Sequence, residues 1–309
     1  DPATGLVEGH SPRHGQGVAR RLAFARTLAE RSTDGSEPRA LWEAARARIR
    51  ATLDGFELAP QLGLVPLGPD PDSGLEEFVD LATGDVPARR ADGELELGPD
   101  SGVVFVLVPG GPTLFGAQAR EPAGAHHDPA AQADEGPVQE LTLAPFLIAK
   151  HELTQAQWRR FTARNPSKYL AGTQVRGVAI DARAPVERVS WFGAERERAR
   201  LGLALPTEVQ WEHAARGGTQ SPWWSGDEVA SLEGCANLSD RTARTRGAAW
   251  SAFSDELDDG HYAHAAAGSF EPNPFGLHDV LGNVYEWCRD EFGAYTLPTA
   301  AGDGLATWR

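Results

Sequence analysis

The last third of the chain, residues 219–309, has little regular hydrophobic periodicity but many Gly, Asp, Asn and Trp residues. Periodic apolar side chains are what predict helices and strands, so this region predicts few of either. A long irregular segment in a folded domain needs another source of order. Bound cations are one physical solution, since one ion can be coordinated by several backbone carbonyl oxygens. Any fold of this chain must account for how these loops are held.

The formal net charge of the 309-residue chain is −15. This charge argues against nucleic acid as a main partner, because phosphate binding needs a basic surface, and it favours cation binding. No apolar run approaches the roughly 18 residues needed for a membrane helix. The two cysteines, Cys235 and Cys288, are too few for a disulfide framework, although a single bridge between them is compatible with the sequence. Free thiols in a cytoplasmic protein are the default interpretation.

The segments before this region differ in character. Helical spacing of apolar residues predicts two amphipathic helices at 16–31 and 38–53, within a helical linker at 1–55. Pro, Gly and short apolar runs predict a β-rich lead-in at 56–100, and the main domain then covers 101–309. The start has no signal-peptide layout and the chain has no Met, so we expect it to begin inside a longer gene product.

Two further helices have clear start signals. Thr154 with Gln157, and Thr207 with Gln210, have the spacing of a capping box ahead of a tryptophan. The helix after Thr207 is predicted to end at Gly217-Gly218, because glycine readily adopts the left-handed exit conformation.

The segment GLHDVLGNVYEW at 276–287 combines a tight turn with a carboxylate. The carbonyls of Asp279, Gly282 and Val284, with the Glu286 side chain, have the oxygen chemistry that calcium prefers. The alternative is a simple turn at Gly282 with Glu286 in a salt bridge, and the residues alone favour this alternative slightly.

Oxygen-rich loops also occur at Asn237–Asp240 and at 258–260. Such loops are usually polar only because they are solvated. The sequence contains no nucleophile elbow, zinc-protease motif, C-x-x-C or phosphate-binding loop, so it nominates no catalytic residue.

The order of these motifs resembles the formylglycine-generating enzyme, or sulfatase-modifying factor, family. The resemblance spans about 103–292 and is carried by VVFVLVPGGPTLFGAQ, DEGPVQELTLAPFLIAKHELTQAQWRRF, APVERVSW, LPTEVQWEHAARGG, WWSGDE, CANLSD and GSFEPNPFGLHDVLGNVYEW. It implies an α+β fold, a variant of the C-type lectin fold with low regular secondary structure, which a helical linker precedes here. One departure is Glu197-Arg198, where the family usually has an aromatic residue followed by Cys.

The resemblance also implies two calcium sites. One would use Asn237, the Leu238 carbonyl, Asp259 and the His261 carbonyl. The other would use the carbonyls of Asp279, Gly282 and Val284 with the Glu286 side chain. Calcium is therefore the expected cofactor.

Active members of the family oxidise a sulfatase cysteine with a copper-binding cysteine pair, which lies near the C-terminus of the family domain. Cys235 and Cys288 do not match that pair, so we expect a domain truncated at its C-terminus, with copper only if a missing segment supplies the thiolates.

We expect a calcium-stabilised recognition module for a protein or peptide ligand, without nucleic acid or membrane as a partner. The alternative is an oxidase whose copper cysteines lie beyond Arg309. The segment before residue 100 resembles the linker of bacterial serine/threonine kinases fused to this domain, and any such kinase would precede residue 1.

Overall fold

The computed structural model describes residues 18–250 and 252–306. The chain packs as two compact units, each built from two separate stretches of sequence. The first unit contains Asp1–Leu107 and Ala149–Gly202, and the second contains Val108–Ile148 and Leu203–Arg309. The segment boundaries predicted at 55 and 100 stay predictions. No helix in the described part of the chain is both long and apolar enough to cross a membrane.

The helices are short except at the N-terminal end. They are α1 (Val18–Ala29), α2 (Ser36–Thr52), α3 (Gln155–Thr162), α4 (Trp191–Leu201), α5 (Glu208–Arg216) and α6 (Arg241–Thr245).

The strands are also short, and all of them precede α4. They are β1 (Leu64–Pro69), β2 (Glu76–Asp80), β3 (Ala88–Arg89), β4 (Leu95–Glu96), β5 (Val104–Val108), β6 (Gly111–Phe115), β7 (Gln139–Leu143), β8 (Phe146–Ala149), β9 (Gln174–Val175) and β10 (Val178–Ala179). The α+β class with little regular structure is therefore confirmed. The region with the fewest helices and strands is 219–306, where the sequence lacks hydrophobic periodicity.

Both predicted capping boxes are confirmed. The Thr154 and Thr207 side chains accept hydrogen bonds from the backbone N–H groups of Gln157 and Gln210. The side-chain oxygens of these glutamines accept from the backbone N–H groups of the two threonines. This reciprocal pairing satisfies two backbone donors that a helix N-terminus otherwise leaves open. Helix α5 ends at Gly217 in the left-handed conformation, as predicted.

The first unit is built around α2 and an antiparallel sheet. Strand β2 pairs with β1 on one side and with β5 on the other. Trp42 of α2 is buried, its ring centroid lies 5.4 Å from that of Phe78 in β2, and its indole N–H donates to the Ser32 carbonyl at 2.9 Å. Ala45 and Ile49 are buried beside it. The helical spacing in the sequence indicated a stripe through Leu41, Ala45, Ile49 and Leu53, of which Leu41 and Leu53 are only half-buried, and it did not include Trp42.

The second unit has an antiparallel strand pair, β6 with β7, and also contains most of β8, the helices α5 and α6, and short 3-10 turns at Ala133–Glu135 and Val229–Leu232. Most of its other described residues form loops. One apolar cluster joins Phe115 and Leu143 of this strand pair to Val209 of α5. A second joins Leu232, Ala236 and Leu257, which lie outside regular strands and the longer helices. These apolar contacts provide no hydrogen bonds, so the buried backbone N–H and C=O groups of the loops need polar partners elsewhere.

A buried charge cluster lies in the first unit. The Lys150 ammonium is 2.5 Å from Asp70 Oδ2 and 2.6 Å from Glu77 Oε1, and all three residues are buried. Burial alone would lower the pKa of Lys150, but Glu77 and Asp70 together raise it. Arg89 donates to the other Glu77 oxygen at 2.5 Å, so both carboxylates have cationic partners. Each charge in this cluster therefore depends on the others remaining in place.

We expect Lys150→Met to lower the free energy of unfolding by about 3–5 kcal/mol, because it leaves Asp70 and part of Glu77 buried without a cation. Arg183→Met is the control, since Arg183 pairs with Asp181 at the surface, and we expect it to cost no more than about 1 kcal/mol. Urea unfolding followed by circular dichroism measures both. Equal losses in the two variants would contradict this account of the buried cluster.

Candidate functional site

The first predicted set of calcium ligands is brought together in the second unit. Asp259 accepts hydrogen bonds from the backbone N–H groups of Leu238 at 2.8 Å and His261 at 2.7 Å. The Asp259 N–H in turn donates to Asp240, whose other carboxylate oxygen caps α6 by accepting from Ala243. Burial raises the pKa of Asp259 to about 6, and the Asp240 carboxylate adds to the shift. The carboxylate therefore organises the loop, and a nearby cation would lower its pKa.

Asn237 holds this loop to the next one. Its side-chain nitrogen donates to the Ala263 carbonyl at 2.8 Å and to Asn283 Oδ1 at 3.0 Å. Asn283 Oδ1 also accepts from the Ala265 N–H at 3.0 Å. Because both amide hydrogens of Asn237 are used, Oδ1 is the side-chain atom that could face a cation.

The second predicted set lies on a sharply curved loop. Asp279, Gly282 and Asn283 all have φ between 56° and 80°, in the left-handed region. Gly282 is needed here for space as well, because a β-carbon would lie 2.0 Å from the Asn237 carbonyl oxygen. That same oxygen accepts from the Asn283 N–H at 2.9 Å. Asn237 of the first set and Gly282 of the second therefore lie against each other, which the sequence did not indicate.

The Asp279 carboxylate is the unusual group of this loop. The residue is buried, its Oδ2 accepts from the Gly268 N–H at 2.5 Å, and its Oδ1 is buried without a hydrogen-bond partner. Burial raises the pKa of this carboxyl to about 6, although the backbone N–H groups of Gly268 and Phe270 act in the opposite direction. A buried, unpartnered carboxylate oxygen costs free energy unless a proton or a cation compensates it. Sequence reasoning assigned only the carbonyl of Asp279, and an Asp in a left-handed turn position is the signal that could have included its side chain.

Glu286 is positioned by α5. Its Oε2 accepts a short hydrogen bond from the Trp211 indole N–H. Protein atoms packed around the carboxyl desolvate its charged form and raise its pKa. The Asp279 charge acts in the same direction, and the Trp211 hydrogen bond opposes both. The residue is nevertheless exposed, so water screens the charge and we expect a smaller shift than full burial would cause. Trp211 therefore orients Glu286 without neutralising it.

The C-terminal end of α5 is fastened to the calcium-candidate segment by Asn273. This buried side chain donates to the carbonyls of Ala214 and Ala215 at 2.7 and 3.0 Å. Its oxygen accepts from the N–H groups of Phe275 and Leu277 at 3.0 Å each. All four hydrogen-bonding positions of the amide are used, so Asn273 fixes where the following loop begins. Sequence reasoning missed this residue.

The donor set fits a hard cation held mainly by neutral oxygens. In residues 18–250 and 252–306, no three His, Cys, Asp or Glu side chains form a cluster that could hold a metal. A cation here would depend on backbone carbonyls and amide oxygens, with Asp279, Glu286 or Asp259 as the acidic ligand. Calcium prefers such oxygen ligands, whereas zinc and copper prefer the nitrogen and sulfur ligands of His and Cys.

The two thiols of the second unit are not joined by a disulfide. Burial raises the pKa of Cys288 to about 12, with Glu208, Asp290 and Glu286 adding to the shift. Burial and Glu271 raise the pKa of Cys235. Since the thiolate is the form that attacks or binds a soft metal, neither cysteine has the properties of a reactive thiol at neutral pH.

The sequence profile of the sulfatase-modifying factor enzyme 1-like domain matches residues 96–306. The formylglycine-generating enzyme of Thermomonospora curvata is 28% identical over 257 residues, which cover 68% of this chain and 76% of that protein. The inactive C-alpha-formylglycine-generating enzyme 2 of Bos taurus is 29% identical over 248 residues, covering 65% and 75%. The serine/threonine-protein kinase pkn1 of Chlamydia caviae is 30% identical over 179 residues, covering 52% of this chain and 25% of the kinase.

Gly282→Ala and Gly260→Ala form a matched pair, because both glycines have φ near +80°. A β-carbon at Gly260 has no heavy atom within 4 Å, whereas at Gly282 it meets the Asn237 carbonyl. We expect Gly260→Ala to cost about 1–2 kcal/mol from backbone strain alone. Gly282→Ala should cost about 1–3 kcal/mol more, because the two loops must separate. Urea unfolding measures both, and equal costs would show that the contact is not tight.

Proposed function

Because the chain belongs to the sulfatase-modifying factor enzyme 1-like family through residues 96–306, we propose that it is a calcium-stabilised recognition module. Its described residues carry no oxidase chemistry in this proposal. The observation that most supports bound calcium is the Oδ1 atom of Asp279, which is buried without a hydrogen-bond partner in a loop with three positive φ angles. A calcium ion would supply the missing electrostatic partner.

Two sets of residues would hold calcium. The first consists of Asn237 and Asp259 with the Leu238 and His261 carbonyls. The second consists of the Asp279, Gly282 and Val284 carbonyls with Glu286, and we add the Asp279 carboxylate to it because its Oδ1 is buried without a partner. The direct contact between Asn237 and Gly282 supports a joint role, because an ion at either set would also stabilise the loop of the other. Calcium when bound supplies positive charge that offsets the cost of burying the Asp259 and Asp279 carboxyl groups.

Exposed aromatic residues support recognition as the function. Tyr285 and Phe292 are almost completely exposed, and Trp287 is half exposed. They lie within eight residues along the chain and flank Glu286. Large aromatic side chains are enriched in protein interfaces, and exposing them to water has no benefit for folding. We assign to this segment the contact with a protein or peptide ligand.

The raised pKa values of Cys235 and Cys288 support a binding role over cysteine oxidation by these residues. Copper(I) chemistry needs thiolates, which these two positions disfavour at neutral pH. The similarity to the enzyme of Thermomonospora curvata supports a second candidate function, oxidation of a sulfatase cysteine. In that case, a cysteine pair beyond Arg309 would complete the active site.

The similarity to a chlamydial serine/threonine kinase supports a signalling context. We extend the proposal to a bacterial protein in which a kinase domain precedes this chain. The module would then present its aromatic segment to a partner of that kinase.

We expect calcium to raise the melting temperature by on the order of 5 °C over the value in chelator, since a ligand that binds only the folded state stabilises it by mass action. Asp279→Asn should raise the melting temperature in chelator, because it removes a buried charge, and should reduce the calcium response. Glu286→Gln should also reduce the response, and the exposed Glu256→Gln is its control. Differential scanning calorimetry in calcium and in chelator measures these shifts. An unchanged transition in the parent protein would remove calcium from the proposal.

We expect no aldehyde product when the chain is incubated with copper(I), oxygen and a peptide that carries the sulfatase cysteine motif. The physical reason is the high pKa of both thiols. Mass spectrometry of the peptide measures the product, with the enzyme of Thermomonospora curvata as positive control. Aldehyde that is lost in Cys288→Ser or Cys235→Ser would establish oxidation by these residues and overturn this part of the proposal.

A further inference from the structure

The first unit contains an open cavity of about 470 Å³ beside α3 and along one face of α4, from Ser190 to Arg200. This volume lies within the range of about 300–1,000 Å³ that is usual for small-molecule sites. Four arginines and a single carboxylate make up the charged part of its lining. They are Arg164, Arg188, Arg196, Arg200 and Glu197.

Glu197 is buried on α4 and is shared by two of these arginines. Its Oε1 accepts from Arg196 Nε at 2.9 Å, and its Oε2 accepts from Arg200 at 2.5 Å. The one carboxylate is thus fully engaged, yet it balances only one of two positive charges. Each guanidinium carries five N–H donors, so both arginines retain donors for a further anion.

Arg164 and Arg188 are exposed and line the same cavity. Neither side chain has an ion-pair or hydrogen-bond partner in residues 18–250 and 252–306. With Glu197 included, the lining has a formal charge of +3, in a chain whose net charge is −15. The Arg196 and Arg200 side chains are also exposed, at 71% and 51%, so water screens the repulsion, but the cluster still creates a local positive potential that attracts anions.

The N-terminus of α4 contributes to the same wall through Ser190 and Gly193. Ser190 Oγ caps the Gly193 N–H at 3.2 Å, and the positive end of the helix dipole faces this side. The apolar part of the lining comes from Trp158, Pro166 and Val189. We propose that this cavity binds a phosphate monoester, with the phosphate on the arginines and the organic group on the apolar wall.

The charge favours phosphate over a carboxylate. A phosphate monoester carries about −1.5 to −2 charges near neutral pH and three acceptor oxygens, whereas a carboxylate carries one charge. The guanidinium fork matches either group in geometry, so the number of charges decides between them. The cavity is also larger than a phosphate ion needs, which favours an ester over free phosphate.

Isothermal titration calorimetry of the full chain with phenyl phosphate, inorganic phosphate and benzoate tests this assignment. We expect saturable binding of phenyl phosphate, weaker binding of inorganic phosphate and the weakest binding of benzoate. Added salt should weaken phenyl phosphate binding, because the attraction is screened. Saturable binding of benzoate as tight as that of phenyl phosphate, or of inorganic phosphate tighter than that of phenyl phosphate, would overturn the assignment, as would no binding of phenyl phosphate.

Arg164→Gln combined with Arg188→Gln should weaken phenyl phosphate binding by at least about tenfold, since each charge-assisted bond is worth about a factor of ten. The control is Arg39→Gln with Arg120→Gln, which removes the same charge from exposed positions outside the cavity. Equal affinities in the two double variants would show that the cavity is not the site.

Glu197→Gln separates ligand binding from a structural role of the charge cluster. It keeps the shape of the side chain but releases Arg196 and Arg200 from a competing carboxylate, so phenyl phosphate should bind about threefold more tightly or better. A purely structural cluster would be loosened by this change, and binding would weaken or stay the same. Either of those results, with an unchanged circular dichroism spectrum, would count against the proposal.

Discussion

The close approach of Gly282 to the Asn237 backbone is the constraint on which the looped second unit depends. Two segments meet there through the Asn283 N–H and the Asn237 carbonyl at 2.9 Å, which are 46 residues apart in sequence. The Asn237 side chain adds a bond to Asn283, and Asn283 adds one to Ala265. Three loops are therefore held at one point by amide groups instead of a strand ladder. Only a glycine at 282 permits this approach, because any β-carbon would occupy the space of the carbonyl oxygen.

Buried carboxylates are stabilised in two different ways in this protein, although the physical problem is the same. In the first unit, Asp70 and Glu77 have Lys150 and Arg89 as partners, and the lysine holds the pKa of Asp70 low against the opposing effect of burial. In the second unit, Asp279 and Asp259 have only N–H donors, and burial raises the pKa of each to about 6. A carboxyl in that state is poised to accept either a proton or a cation. Burial also raises the pKa of Asp80 in the first unit to about 6, so what sets Asp279 apart is its buried Oδ1 without a hydrogen-bond partner, and the calcium proposal rests on that atom.

The two polar clusters of the chain also differ in sign. In the second unit, the cluster consists of carboxyl and amide oxygens, from Asp259, Asp279 and Asn237, in its loops. In the first unit, arginines of α4 surround the buried Glu197. Glu197 occupies a helix position that resembles an aromatic position of the family, and its two salt bridges explain how a carboxylate is accommodated there. The position that we expected to depart from the family pattern is thus one around which the cationic cavity is built.

The sequence alone determined the features that depend on local chemistry. It placed both capping boxes, the α5 exit at Gly217 and the amphipathic helix α2, because neighbours along the chain decide these. It also identified the family and the loops that hold the candidate ligands. Only the tertiary structure decided that Asn237 meets Gly282, that Asp279 Oδ1 is buried without a partner, and that Asn273 joins α5 to the following loop. Those contacts join residues about 45 or more positions apart or depend on burial, and neither distance in space nor exposure to water can be read from residue spacing.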